Sequence, residues 1–392
     1  MTKRQKKRVY TSLFTIVFAV SLGFCVVNPF FPLYLKNLTN QGFVIALVFS
    51  GFFFAKMVLT PLLGKWSDYR NRRIFILSGL VIHTLVAFFF VLLPQSIMLI
   101  VILRFFQGCA TAMVRPIAQA FVGDISTKNH EGTSMGTFDI SFYAALAVGP
   151  VIGGLIGHIA GFRGVFLILF ILCLIALFIA LATITGGRKQ QAAARPVAND
   201  RHCGSLRDSR VLAGLYGLIF ARSFGFVCLP IFLPIFIDGH FHIGCFGIGI
   251  CMASGSLVTA MLLRPMGKLS DRVNRRMLVV AGGVISGLII IVIPWTGSLW
   301  QLILLNMAVA FFSTMSLPAT SAILVEEGKS FGLGYTMGWF HSIMNAGFFI
   351  GPLVGGVLMD VLGLKSIFLV AGIFGIAGSL LFALMCPRTV CS

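Results

Sequence analysis

The chain has 392 residues, of which 58% are hydrophobic and only 10% charged, with a formal net charge of +19 and a mean hydropathy of +0.99. So little charge cannot cover the surface of a soluble protein, which excludes a soluble enzyme or a soluble nucleic-acid-binding domain. The composition therefore predicts an integral membrane protein.

Apolar segments long enough to cross a hydrocarbon core of ~30 Å recur along the whole sequence. They are uniformly apolar, which favours helices over barrel strands, since barrel strands are shorter and alternate in polarity. We therefore expect an all-α integral membrane fold with twelve transmembrane helices. The predicted spans are residues 10–34, 42–63, 74–93, 97–122, 135–157, 164–185, 212–237, 243–266, 277–295, 299–324, 336–358 and 365–386.

The segment ahead of the first span, residues 3–8, is strongly basic and attracts anionic lipid. Most of the 30 Lys and Arg residues fall in loops on this same side of the membrane, and only Lys36, Arg163 and Lys365 fall on the opposite side. By the positive-inside rule both termini are cytoplasmic, as in a multi-pass protein of a bacterial cytoplasmic (inner) membrane. Topology explains the charge without nucleic acid as a partner.

Two long segments of the chain are repeated. Residues 64–73 reappear with few changes at 267–276, and residues 136–154 reappear at 338–356. Matches at nearly the same offset indicate two homologous halves, which place a cleft at their shared boundary.

A polar, basic segment rich in glycine, alanine and proline separates the sixth and seventh spans. Its composition is typical of a flexible linker. The sequence thus predicts two pseudo-symmetric six-helix bundles, 1–185 and 212–392, joined by a cytoplasmic linker at 186–211.

Three motifs resemble those of the major facilitator superfamily. The loop at 64–73 resembles the signature between its second and third helices, and 104–108 (Arg-Phe-Phe-Gln-Gly) resembles its fourth-helix motif. The segment 149–154 (Gly-Pro-Val-Ile-Gly-Gly) resembles the fifth-helix motif of its proton-driven exporters. The resemblance implies a twelve-helix transporter similar to drug–proton antiporters.

The repeated loop motif predicts a cytoplasmic gate. Its glycines allow close backbone approach, its aspartates suit binding to a helix N-terminus, and its arginines add bridges that break on opening. The alternative is that these charges only anchor the loops to lipid headgroups. The predicted gate residues are Gly64, Asp68, Arg72, Arg73, Gly267, Asp271, Arg275 and Arg276.

Glycines at four-residue intervals form a stripe in the fifth span and again in the eleventh. Small residues on one stripe permit close helix contact, and a proline beside them weakens the backbone hydrogen bonding. The pattern favours a hinge, and packing without bending is the alternative. The predicted hinge residues are Gly149, Pro150, Gly153, Gly351, Pro352 and Gly355.

Ionisable residues inside membrane spans are costly and therefore point to function. The only carboxylate there is Asp139, which we predict to be the proton carrier; the alternative is a structural ion pair with Arg115 or Lys56. His341 is the repeat equivalent of Asp139 and is either a proton relay or a polar seam residue. By resemblance, Arg104 also serves proton transfer.

The excess of cations in the spans favours a cargo with an acidic group. In the superfamily, helices one, four, seven and ten line the cavity, so Arg104 and Arg222 are expected to face it, with Asn28 and Arg115 as further contacts. Guanidinium groups in a low-dielectric cleft suit carboxylates or phosphates, as in a carboxylate siderophore. The drug–proton exporters that the chain resembles often carry an acidic residue in the first helix; here that helix offers only Asn28, which weakens the assignment of a lipophilic cation.

Together these features predict proton-coupled export (antiport) of a small anionic or zwitterionic molecule. A multidrug efflux pump for lipophilic compounds, an importer of the same superfamily and a non-transporting scaffold are the alternatives. The partners are the small molecule, protons and membrane lipid, and we expect a monomer. Nothing in the sequence indicates an enzyme, a cofactor or a metal site.

Overall fold

The computed structural model describes residues 3–69, 71–125, 131–183, 210–241, 243–270, 272–331 and 333–386, and within these ranges it contains helices and no strand. The helices are α1 (Lys3–Val27), α2 (Phe31–Lys36), α3 (Gly42–Tyr69), α4 (Arg72–Val91), α5 (Ile97–Ile125), α6 (Glu131–Thr183), α7 (Arg210–Phe241), α8 (Cys245–Ser270), α9 (Arg275–Val292), α10 (Leu299–Phe331), α11 (Leu333–Leu362) and α12 (Leu364–Met385), with a 3₁₀ turn at Ile293–Trp295.

Eleven of the described helices are long and apolar enough to cross a membrane. One of them, α6, has 53 residues and contains a kink at Gly161, where φ is 60° and ψ is −164°. A positive φ is tolerated well only by glycine, so the kink forms at this residue. The predicted span 135–157 and the described part of the predicted span 164–185 lie in α6, on either side of the kink, and the all-α fold expected from the sequence is confirmed.

The first predicted span, 10–34, differs from the structure in its continuity. Helix α1 ends at Val27, and the chain turns before α2 begins at Phe31. Pro29 and Pro32 supply no backbone N–H, so the helical hydrogen-bond ladder is weakened in this region, where the chain turns. The result is a helix break that hydropathy alone does not reveal.

The described residues form two compact units, each with its own hydrophobic core. In unit 1, α1, α4, α5 and α6 contribute Leu13, Leu80, Ala118 and Ala176 to the core. In unit 2, helices α7, α9, α10 and α12 build the corresponding core. Unit 1 comprises the described residues of Met1–Leu38, Gly51–Pro196 and Gly244–Ala253, and unit 2 those of Thr39–Ser50, Val197–Ile243 and Ser254–Ser392.

The boundaries of the two units differ from those of the two sequence halves at the ends of two helices. Unit 1 includes the N-terminal end of α8, and unit 2 includes the N-terminal end of α3. The predicted linker lies outside the described residues except for its last two positions, which begin α7. The division of the sequence at 186–211 stays a prediction.

The glycine stripe of α6 lies at a tight seam with α1 in unit 1. A Cβ built on Gly153 would overlap the carbonyl oxygen of Val26 and lie 2.7 Å from Cε2 of Phe30. A Cβ on Gly149 would lie 2.9 Å from the carbonyl carbon of Cys25. These helices therefore approach each other as closely as they do because no side chain intervenes.

The same arrangement occurs in unit 2 between α11 and α7. A Cβ built on Gly351 would lie 2.8 Å from the carbonyl oxygen of Phe224, and one on Gly355 would lie 2.6 Å from Cε2 of Phe232. Pro150 and Pro352 are buried inside their helices. Bending at either proline stays a prediction, since the kink of α6 is at Gly161.

Candidate functional site

The carboxylate part of the predicted gate is not described by the structure. Asp271 and the surroundings of Gly64 and Asp68 lie outside what it describes. At Gly267 the expected close backbone approach is absent: a Cβ built there would meet none of the described atoms within 4 Å. The role of these residues as a gate therefore stays a prediction.

The gate arginines of the second repeat contact neighbouring helices of unit 2. The Nη1 atom of Arg275 lies 2.9 Å from Oε2 of Glu326 in α10. Arg276 donates a hydrogen bond to the carbonyl oxygen of Ala383 in α12. In this structure these two arginines thus connect α9 to α10 and to α12.

Two asparagines that the sequence argument missed begin the helices after the gate loops. Asn71 caps α4 by accepting a hydrogen bond from the backbone N–H of Arg73 at 3.0 Å, just where Arg72 starts the helix. Asn274 caps α9 by accepting from Met277 at 3.2 Å. Asparagine immediately ahead of a helical pattern is a recognised cap signal, and it recurs here in both repeats.

An ion pair inside the membrane-spanning region joins α5 to α6 in unit 1. Nη2 of Arg115 lies 3.7 Å from Oδ1 of Asp139, and each side chain is 34% exposed. The guanidinium of Arg115 also lies over the ring of Phe142, 3.7 Å from its centroid. The structure thus brings together two of the predicted site residues and adds an aromatic face that the sequence argument did not name.

Lys56 of α3 provides a second cation near this pair. Its Nζ lies 5.5 Å and 5.8 Å from the ring centroids of Phe52 and Phe53, and Arg115 is close enough to act on it electrostatically. No described carboxylate lies within 4.0 Å of it. His341, expected at the same site, belongs to unit 2, where its exposed ring contacts Phe340.

Arg104 is buried in unit 1, and its position on a cavity stays a prediction. Its side chain is only 2% exposed, and its guanidinium lies over the ring of Phe31, 3.5 Å from the centroid. Nη1 donates to Oε1 of Gln107 at 2.8 Å, one turn along α5. The helix break before α2 places Phe31 across the arginine, which a span treated as one continuous helix could not reveal.

A buried histidine beside Arg104 was also missed. His83 of α4 is 1% exposed, it lies within electrostatic range of Arg104, and neither ring nitrogen has a hydrogen-bond partner among the described residues. A single histidine in an apolar span carries no sequence signal that separates a functional histidine from one that only packs.

Arg222 of α7 is half-buried in unit 2. It donates to Oγ of Ser316 at 3.0 Å and to the carbonyl oxygen of Ser313 at 3.4 Å, so it crosses to α10. Asn28 is half-buried in the break after α1. Among the residues that the structure describes, no group of three or more His, Cys, Asp and Glu side chains is arranged as metal ligands would be.

Comparison with known proteins identifies the family. The family model for the Major Facilitator Superfamily matches residues 13–221 and again 215–390. An MFS-type transporter of Methanocaldococcus jannaschii is 24% identical, covering 98% of this chain and 99% of its own. The multidrug resistance protein MdtG of Enterobacter lignolyticus is 27% identical, covering 98% of this chain and 93% of its own.

Solved structures agree on the fold. A bacterial homologue of the human lysosomal transporter Spinster superposes with a TM-score of 0.84 at 13% sequence identity, covering 100% of this chain and 98% of its own. The motifs, the helical architecture and the family match lead to one conclusion: the chain is a multi-pass membrane transporter that belongs to the major facilitator superfamily.

Proposed function

We propose that the protein is a proton-coupled exporter of a small anionic or zwitterionic organic molecule. The observation that carries the proposal is the Arg115–Asp139 ion pair. Removing two charges from water costs several kcal/mol per ion, and apolar residues would hold two helices together without that cost. Both side chains are one-third exposed, so neither is sealed inside the protein, and the proposal requires that protons and a cargo reach them.

Asp139 is the group on which a proton and a cargo compete in this proposal. The 3.7 Å separation from Arg115 exceeds the ~2.7–2.9 Å of a close charge-assisted hydrogen bond, so the carboxylate retains capacity for another donor. A cargo ammonium binds the ionised carboxylate and is displaced when the carboxyl takes up a proton. Mutual exclusion of proton and cargo at one carboxylate is the basis of antiport.

The cations beside Asp139 suit the acidic end of such a cargo. Lys56 and Arg115 carry two positive charges against one carboxylate, and a cargo carboxylate offsets the surplus. The ring of Phe142, stacked on Arg115, adds an apolar face. A zwitterion satisfies both ends of this arrangement.

Other predicted residues take secondary roles. Arg222 remains a candidate cargo contact in unit 2, and Asn28 and His341 remain candidates for cargo binding and proton relay. Arg104, being sealed against Phe31, is assigned to proton coupling and excluded from direct cargo contact in this conformation.

An importer differs from the proposed exporter in moving protons and cargo in the same direction. A purely anionic cargo competes with Asp139 for Arg115, and a carboxylate that loses its cation takes up a proton more readily. Proton and anion then travel together, which corresponds to uptake. The fifth-helix motif favours export instead.

Multidrug efflux of lipophilic compounds is the second candidate. It is favoured by the similarity to MdtG, whose name describes multidrug resistance, and by the aromatic rings of Phe52, Phe53 and Phe142 around the two cations. This candidate predicts that an apolar cation is the best cargo.

One set of three fluorescent probes distinguishes the proposed exporter, the multidrug efflux pump and the importer. Dansyl-lysine is a zwitterion, dansyl-glycine an anion and dansylcadaverine a cation, and all three carry the same fluorophore. In proteoliposomes with an acidic interior we expect accumulation of dansyl-lysine. Beyond the passive distribution measured in protein-free liposomes, preference for dansylcadaverine supports multidrug efflux, and accumulation of dansyl-glycine only when the exterior is acidic supports the importer. A pH gradient that moves none of the three contradicts the proposal.

The site itself is tested by neutralising the pair. Asp139→Asn should abolish gradient-driven accumulation, and Arg115→Gln should weaken it strongly. Arg264→Gln is the matched control, because Arg264 is an exposed arginine of a membrane-spanning helix. Unchanged flux in Asp139→Asn contradicts the assignment.

We also propose that the chain is a monomer in a bacterial cytoplasmic (inner) membrane with both termini in the cytoplasm. The support is the distribution of Lys and Arg among the loops. Terminal epitope tags on spheroplasts should resist external protease and become cleavable after lysis. Cleavage in intact spheroplasts contradicts the orientation.

A further inference from the structure

The N-terminus of α3 is capped by a carboxylate from the opposite end of the sequence. The backbone N–H of Gly42 donates to Oδ1 of Asp360 at 2.6 Å, and that of Phe43 donates to Oδ2 at 2.8 Å. All three residues lie in unit 2. Both oxygens of one carboxylate thus bind the first N–H groups of a helix, where the helix dipole also favours negative charge.

A tight seam between α3 and α11 continues from this cap. A Cβ built on Gly356 would lie 2.6 Å from the carbonyl oxygen of Gly42 and 2.6 Å from Cβ of Ala46. Two turns further along α3, Oγ of Ser50 donates to the carbonyl oxygen of Phe349 at 3.0 Å. Packing along the seam brings the two helices together, and Asp360 holds its end by polar bonds.

The sequence repeat provides an internal comparison in unit 1. There α6 approaches α8 in the same manner: a Cβ on Gly154 would lie 2.9 Å from the carbonyl oxygen of Cys245. The repeat equivalent of Asp360 is His158, whose Nδ1 lies 4.0 Å from a Cβ built on Gly244. The glycine contact is therefore duplicated, whereas a histidine occupies the position of Asp360 at the second seam.

We propose that Asp360 is a latch that keeps the α3 N-terminus bound to α11 and must release it each time this end of the two helices separates. The inference rests on the proposed transport function only in requiring that the seam opens during the cycle. Replacing the carboxylate by an amide removes the charge and one of the two acceptor oxygens. Such a loss, on the order of 1–2 kcal/mol, shifts an equilibrium by a factor of about 5 to 30.

Opening of the seam is measured by cysteine accessibility. Ser50 is fully buried, and Ser50→Cys is nearly isosteric. We would apply a membrane-impermeant maleimide from the side that the α3 N-terminus faces and subtract the labelling of the parent chain. Full labelling after denaturation confirms that the thiol is reactive.

The expected result is that Asp360→Asn raises the labelling rate of Ser50→Cys by about 5- to 30-fold, whereas Asp360→Glu, which keeps the charge, raises it less. Asp238→Asn is the matched control, since Asp238 is a carboxylate near the C-terminal end of α7, as Asp360 is near the C-terminal end of α11. This substitution should leave the labelling rate unchanged. Helix content and monodispersity of each variant establish that it is folded.

Equal labelling rates with and without Asp360→Asn overturn the latch, as does a rise of the same size in Asp238→Asn or no labelling in any variant. Because labelling involves no cargo, its result is independent of the flux assays. Failure of the proposed function appears as absent flux with the latch result intact. Failure of the latch appears as unchanged labelling in a protein that transports.

Discussion

The close contact between α1 and α6 allows the effect of one added methyl group at position 153 on the free energy of unfolding to be predicted. A Cβ at position 153 would overlap the carbonyl oxygen of Val26 and lie 2.7 Å from the ring of Phe30, so Gly153→Ala forces the helices apart. Overpacking of this kind costs about 1–3 kcal/mol. Alanine in a helix recovers ~1 kcal/mol relative to glycine, so the net loss is about 0–2 kcal/mol.

The matched control is Gly51→Ala in the interior of α3. A Cβ there would lie 3.8 Å from Val101, an ordinary van der Waals contact, so only the helix-propensity gain of ~0.5–1 kcal/mol remains. The free energy of unfolding of both variants would be measured by titrating mixed micelles with SDS and following helix content. We expect Gly51→Ala to be more stable than Gly153→Ala by about 1–3 kcal/mol. Equal stability of the two would refute the close approach at Gly153.

Three further experiments test the polar contacts. A double-mutant cycle on Arg115 and Asp139 should give a coupling of about 1 kcal/mol, below the ~4 kcal/mol of a charge pair at this distance with an effective dielectric constant of about 20, because both side chains are one-third exposed; zero coupling in the unfolding titration contradicts the pair. Arg104→Lys should cost about 2 kcal/mol or more of unfolding free energy, since lysine cannot reproduce the stacked planar contact; a neutral result argues against the buried arrangement. Breaking the exposed Arg275–Glu326 pair by Glu326→Gln should cost at most ~1 kcal/mol and less at high salt; a salt-independent loss contradicts this.

Hydropathy predicted most of the helices because it is a local property of the sequence. A helix that crosses lipid must be long and apolar, so spans such as 97–122 and 299–324 begin at the first residues of α5 and α10. The break between α1 and α2 depends on Pro29 and Pro32 inside an otherwise apolar segment. Hydropathy does not register it.

The contact of Asp139 with Arg115 was one of two alternatives in the sequence analysis, whereas the burial of Arg104 depends on lateral packing and was not expected. Arg115 and Asp139 lie at similar depths and do pair. Arg104 was expected to face a cavity, but Phe31 covers it, and the position of that ring depends on the helix break. The Asp360 cap joins residues 318 positions apart, which no periodicity in the sequence indicates.

The central claim is that Asp139 exchanges a proton for cargo, and the most direct measurement is the direction of proton movement driven by cargo alone. Proteoliposomes containing the pH indicator pyranine would be loaded with dansyl-lysine and diluted without any imposed pH gradient. The account predicts that efflux of dansyl-lysine acidifies the interior, and that Asp139→Asn eliminates this signal while Arg264→Gln preserves it. Alkalinisation of the interior, or acidification that persists in Asp139→Asn, would contradict the account.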